Sequence, residues 1–201
     1  MLKLERLTKA NRVVNKPFIF SLAFTLAEVL ITLGIIGVVA EMTIPTLMNN
    51  VQSQVFKTGN REAISVLNQV LLQINSQDDG LYGKCNSDHI CLRNAFLPYL
   101  KYSKTCDSPN NSNCVPSNYL VSGWENGASV VLNNGFTVVF YDYASNCSYT
   151  QSDQAVTSCG EAIIDVNGSK KPNTWGQDLL WVEFTQNNVI MNKADTSRIL
   201  N

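Results

Sequence analysis

A single carboxylate, Glu28, stands near the start of an apolar run. The run covers residues 24–47 and holds one other ionisable side chain, Glu41. A charged group at the centre of a bilayer costs about 2.5–3.5 kcal/mol, so a plain membrane anchor has no use for Glu28. Its charge does suit a helix N-terminus. The chemistry open to this carboxylate is charge pairing in apolar surroundings, not turnover. Glu41 lies 13 residues beyond Glu28, or about 220° around a helix, so the two carboxylates do not share a face.

The remaining reactive residues form no catalytic set. His89 is the one histidine and sits between Cys85 and Cys91, with nothing nearby from which to build a triad. Neither glycine-rich phosphate-loop pattern occurs. The chain therefore reads as a protein that is not an enzyme. Six cysteines, Cys85, Cys91, Cys106, Cys114, Cys147 and Cys159, all follow the apolar run. An even number in an exported domain predicts a disulfide framework, with 15 connectivities open. Proximity alone favours pairing each cysteine with its neighbour in sequence. A zinc site is disfavoured, because no C-x-x-C occurs and His89 has no second histidine. Asp165, Asn167 and Asp178 are weak calcium candidates, since calcium takes about six to eight oxygen ligands. Lys170 and Lys171 in the same segment oppose a dication, and Asn-Gly with flanking Asp and Asn makes a tight structural turn. The expectation is no metal and no cofactor.

The elements that would position these residues follow from charge and periodicity. Residues 1–23 carry a net charge of +4 and the remainder −5. A basic leader ahead of an apolar run places the N-terminus in the cytoplasm and the rest outside. The acidic body gives no footprint for nucleic acid. A secretory signal peptide would have an apolar core of about 7–15 residues and a small-residue exit; this run is longer and has none. Helical periodicity continues past the run, with Phe56, Ala63, Leu67, Val70 and Ile74 on one face. Asn60 and Leu72 break the pattern. Pro45 and Gly59 are points of weakness, and Asp78-Asp79-Gly80 ends the helix. Residues 24–77 would span about 80 Å.

Beyond the helix, residues 80–128 read as loops rich in Asn, Ser, Gly and Cys, with a short helical piece at 92–100. Trp124, Tyr82, Tyr99, Tyr102 and Tyr119 are expected to pack these loops. Strands are expected at 129–132, 136–143, 161–166 and 179–184, with a short last one at 189–192, and Asn134-Gly135 turns the first hairpin. The fold class is α+β: one long N-terminal helix, its first half apolar enough for a membrane, packed on a small antiparallel sheet with disulfide-tied loops.

The order Ala23-Phe24-Thr25-Leu26-Ala27-Glu28 at the head of this run, with Pro45 the twenty-second residue counted from Phe24, resembles the N-terminal segment of type IV pilins and type II secretion pseudopilins. Ala23 stands where that family usually has Gly. The resemblance implies a leader over 1–23, a helix over 24–77 with 24–47 in membrane or fibre core, and an extracytoplasmic head over 78–201. It implies cleavage after Ala23 by a prepilin peptidase, methylation of Phe24, and polymerisation in which Glu28 pairs with a neighbour's amine. Partners would be further copies or other pilins, the peptidase and methyltransferase, an inner-membrane assembly platform and the membrane. The segment 165–178 also resembles a turn near the end of many pilin-like heads, where some pseudopilins bind calcium. Pilus and secretion pseudopilus both remain open. The alternative is a surface-displayed adhesin or ligand-binding protein anchored by the same helix, with residues 80–128 as its ligand face.

Overall fold

The computed structural model describes residues 24–77, 80–81, 84–85, 87–108, 114–115, 127–141, 146–150 and 157–192. Ala23 and the rest of the expected leader, with Tyr82, Tyr119 and Trp124, lie outside the described residues. The chain separates into two units, Met1–Thr46 and Leu47–Asn201.

Helix α1 runs over Leu26–Gln77, contains Pro45, and is long and apolar enough to cross a membrane. In the first unit its apolar side chains, among them Leu30, Ile31, Leu33, Ile35, Ile36 and Val38, are exposed. In the second unit α1 turns one face inward and buries Asn60, Ala63, Leu67, Val70, Leu71 and Ile74. Those positions recur at helical spacing, so their burial follows from the period of the apolar residues.

Helix α2 covers His89–Phe96 and a 3-10 turn covers Leu97–Tyr99. The helix starts three residues earlier than the expected piece at 92–100. Asp88 supplies the reason: its carboxylate accepts the N–H groups of Ile90 and Cys91 at 2.9 and 3.2 Å, an N-cap that begins the helix. Pro98 then ends the α-helical geometry.

The strands are β1 (Tyr102–Cys106), β2 (Ala128–Leu132), β3 (Thr137–Tyr141), β4 (Tyr149–Thr150), β5 (Thr157–Ser158), β6 (Gly160–Asp165), β7 (Leu179–Phe184) and β8 (Val189–Met191). Six of them form an antiparallel sheet in the order β1-β2-β3-β6-β7-β8, and β4 pairs with β5 apart from it. One face of the sheet presents Val130, Val138, Phe140, Ala162, Ile164, Val182 and Phe184 to α1 and α2. Phe96, Phe140 and Phe184 meet there with ring centroids 4.8–5.8 Å apart, within the range of favourable aromatic pairs. The opposite face carries a second apolar cluster of Val139, Tyr141, Ile163 and Leu179 with Cys106, Cys114 and Val115.

The sheet has one strand more than the five the alternation suggests. Strand β1 lies inside the segment expected to be loop, because four of its five residues are exposed and give no apolar alternation. It holds by ladder bonds to β2 at the sheet edge. The hairpin between β2 and β3 turns at Gly135, whose φ is +91°. Gly168, with φ +66°, abuts that turn: a Cβ on it would come 2.9 Å from the Gly135 carbonyl oxygen. Both positions favour glycine for backbone reasons.

Candidate functional site

Three groups of predicted residues can be placed. At the head of α1, Phe24 is 83% exposed and Glu28 is exposed. Glu28 is held by Thr25: the Thr25 N–H and hydroxyl both donate to Glu28 Oε2 at 2.8 Å, and the Glu28 N–H donates to Thr25 Oγ1 at 3.2 Å. The Thr25 carbonyl accepts the N–H of Val29. This is a capping box, in which two backbone donors that the helix itself cannot satisfy are matched reciprocally. This use of Glu28 is separate from any need to pair a charge in apolar surroundings. The spacing Thr-x-x-Glu ahead of an apolar run is its sequence signal. Glu28 Oε1 takes no part in the three bonds.

The six cysteines form three disulfides, Cys85–Cys91, Cys106–Cys114 and Cys147–Cys159. The first ties the entry of α2 to its own first turn. The second closes the segment after β1, where the buried Arg93 of α2 donates from Nη1 to the Cys106 carbonyl and to Asp107 Oδ1, both at 2.9 Å. The third brackets the small β4–β5 pair. His89 stands beside the first disulfide, and its ring meets Tyr141 edge-on at 5.7 Å. Burial lowers its pKa, because the charged imidazolium loses water, and the Asp88 carboxylate partly restores it.

The segment between β6 and β7 gathers Asp165, Asn167 and Asp178. Asp178 is fully buried. Its Oδ1 accepts the Thr174 N–H at 2.7 Å, and its Oδ2 accepts the Asn173 N–H at 2.8 Å and Asn167 Nδ2 at 3.0 Å. Asp165 Oδ1 accepts the Asn167 N–H at 3.0 Å. The carboxylates therefore face backbone and amide donors, the arrangement of a structural turn. The amide oxygens of Asn167 and Asn173 are buried, and among the described residues neither has a donor. Among the described residues no group of three or more His, Cys, Asp and Glu converges as a metal site would require.

Sequence reasoning did not find Asn60 as anything but a break in the apolar face. In the structure it is buried on that face, and Asn60 Nδ2 donates to the Gln177 carbonyl at 2.8 Å. It thereby ties α1 to the turn that Asp178 organises. The signal was the break itself: a lone amide on an apolar stripe needs a polar partner.

Comparison with protein-family models, curated proteins and solved structures finds no match to this chain.

Proposed function

We propose that this chain is a structural subunit, a pilin or pseudopilin, made as a precursor, cut after Ala23, methylated on Phe24 and polymerised through its apolar helix. The observation that carries the reading is the order Ala23-Phe24-Thr25-Leu26-Ala27-Glu28 at the head of a helix apolar enough to cross a membrane. Supporting it are the long helix whose second half is buried against an antiparallel sheet and the disulfides, which belong to an oxidising compartment. On this reading the precursor is single-pass, with its head outside the cytoplasm. The peptidase, the assembly platform and neighbouring subunits are its partners.

Assembly follows from physical chemistry. Once the helix leaves lipid for a bundle of like helices, each buried charge needs a partner. Glu28 Oε2 is held by its own Thr25, and Oε1 is the atom that meets the incoming Phe24 amine of a neighbour. The test is the intact mass of the protein taken from its native membrane. The expected mass is that of a chain starting at Phe24 and carrying one methyl group. A mature start elsewhere, or an uncut chain, removes the pilin assignment.

A further inference from the structure

The three disulfides differ in what a molecule in solution can reach. Cys85, Cys106, Cys114, Cys147 and Cys159 are buried, between 3 and 8% exposed. Cys91 is only half-buried. It lines an open cleft of about 470 Å³, bordered by the polar side chains of Lys84, Asp88 and Asn94 and by Ile90, Ala95 and Pro98. The cleft lies wholly in the unit Leu47–Asn201. Cys114 also borders a cleft, beside β1, but is 6% exposed.

Reach decides disulfide chemistry. Exchange begins when a thiolate attacks one sulfur of the bond, and its rate depends on which sulfur is attacked and on access to it. Where both cysteines are buried, that route stays closed until the chain opens locally, which costs free energy. Cys91 lies in the first turn of α2, where a thiolate is stabilised. It is therefore the better leaving group, and attack on Cys85 would be the faster chemistry. Cys85 is 5% exposed, however, so access directs the attack to Cys91.

The fold does not hang on this bond. It joins residues 6 apart, against 8 and 12 for the others, and the shortest loop restricts the unfolded chain least. Helix α2 is also held by its Asp88 cap and by the buried Leu92 and Phe96.

We propose that Cys85–Cys91 is a thiol-exchange site, open at Cys91 to an external thiolate while the head is folded. The incoming sulfur bonds to Cys91 Sγ and the Cys85–Cys91 bond breaks. Its electron pair leaves on Cys85 Sγ, which takes a proton from water. The product is a mixed disulfide on Cys91 and a thiol at Cys85. A second external thiolate then displaces the Cys91 sulfur, so the protein disulfide is reduced and the two external thiols are oxidised to their own disulfide. The same steps in reverse install the bond. The proposal goes beyond the assembly reading and does not depend on it.

The test uses the full chain in detergent with reduced glutathione as the probe. Samples are stopped with acid at intervals, their free thiols are alkylated, and the peptides are weighed. Cys85–Cys91 should open at least about tenfold faster than either other bond, since those wait for the chain to open. In the first product glutathione should sit on Cys91 and the alkyl group on Cys85. Urea below the unfolding transition should leave this rate unchanged, whereas it speeds any exchange that needs buried surface to be exposed. Comparable rates for the three bonds, glutathione first on Cys85, or a Cys85–Cys91 rate that climbs with urea as the others do would overturn the proposal.

Discussion

Thr25 and Glu28 close on each other at the head of α1. The threonine N–H and hydroxyl share one carboxylate oxygen at 2.8 Å, and the Glu28 N–H returns to the hydroxyl at 3.2 Å. This makes Glu28 a cap for its own helix; on the proposed assembly reading it has a second, separable use, as a charge for a neighbour's amine. Glutamine also serves in a capping box, so Glu28→Gln keeps the first use and removes the second. The expected outcome is a helix start as protected from amide exchange as in the parent, with few or no fibres. Normal fibre yield with Glu28→Gln would reduce Glu28 to a cap.

The converse substitution is Thr25→Val. It leaves the charge of Glu28 and takes away the hydroxyl, at a cost of about 0.5–2 kcal/mol typical of a lost N-cap. Faster amide exchange over the first turn of α1 is expected, with fibres still forming. Loss of fibres in this variant while Glu28→Gln assembles would mean that cap geometry, and not charge, sets register.

The three disulfides lie between near neighbours in sequence, 6, 8 and 12 residues apart. Removing one from a small secreted domain typically costs about 2–5 kcal/mol. The paired substitution Cys147→Ser with Cys159→Ser should fall in the lower part of that range, because short loops restrict the unfolded chain least. Thiol labelling of the unreduced, denatured parent should find no reactive cysteine. Two or more labelled thiols per chain would contradict the framework.

What could be read from sequence, and what could not, divides along the range of the interactions involved. The helix and the strands at 128–132, 137–141, 160–165, 179–184 and 189–191 carry their own apolar patterns, and Leu179–Phe184 is placed by six residues of which five are buried. Strand β1 carries none, since its pairing with β2 is a backbone matter and four of its five side chains face water. The start of α2 depends on one Asp88 side chain, which local spacing signals only weakly. At the candidate site Thr25-x-x-Glu28 is local and legible. The engagement of Asp178 by the Asn173 and Thr174 N–H groups is not, because it depends on a turn conformation that composition does not specify.

His89 gives the head a pH dependence whose sign follows from burial. Its pKa in the folded chain is lowered from an ordinary value of 6.5. Well above that value both states hold a neutral imidazole, and His89 contributes nothing to the slope. As pH falls through about 6.5 the unfolded chain takes up its proton first, so stability declines. The decline ends once pH passes below the lowered folded value. The melting temperature should therefore drop more between about pH 7.5 and about pH 5 in the parent than in His89→Gln, which has no such proton to bind. Equal drops in the two proteins would show that His89 titrates alike in both states.

The last prediction concerns the turn between β6 and β7. Two features favour a cation there: the carboxylates of Asp165 and Asp178, and the buried amide oxygens of Asn167 and Asn173 that lack a donor among the described residues. Against it, both oxygens of Asp178 already accept N–H groups at 2.7–3.0 Å. A calcium ion would have to displace those donors and leave them buried. Lys170 and Lys171 also cancel the two carboxylate charges, and calcium affinity rises with ligand charge. Asp178→Ala removes the acceptor for two backbone donors, each costing about 1–3 kcal/mol when left unmatched. A loss of about 2–6 kcal/mol is expected from that change, equal with and without calcium. Millimolar calcium should leave the melting temperature of the parent where it was. A saturating ligand at about 100 times its dissociation constant would add about 2.7 kcal/mol, a shift of several degrees that calorimetry reads directly. Such a shift in the parent, absent in Asp178→Ala, would turn the structural turn into a calcium site.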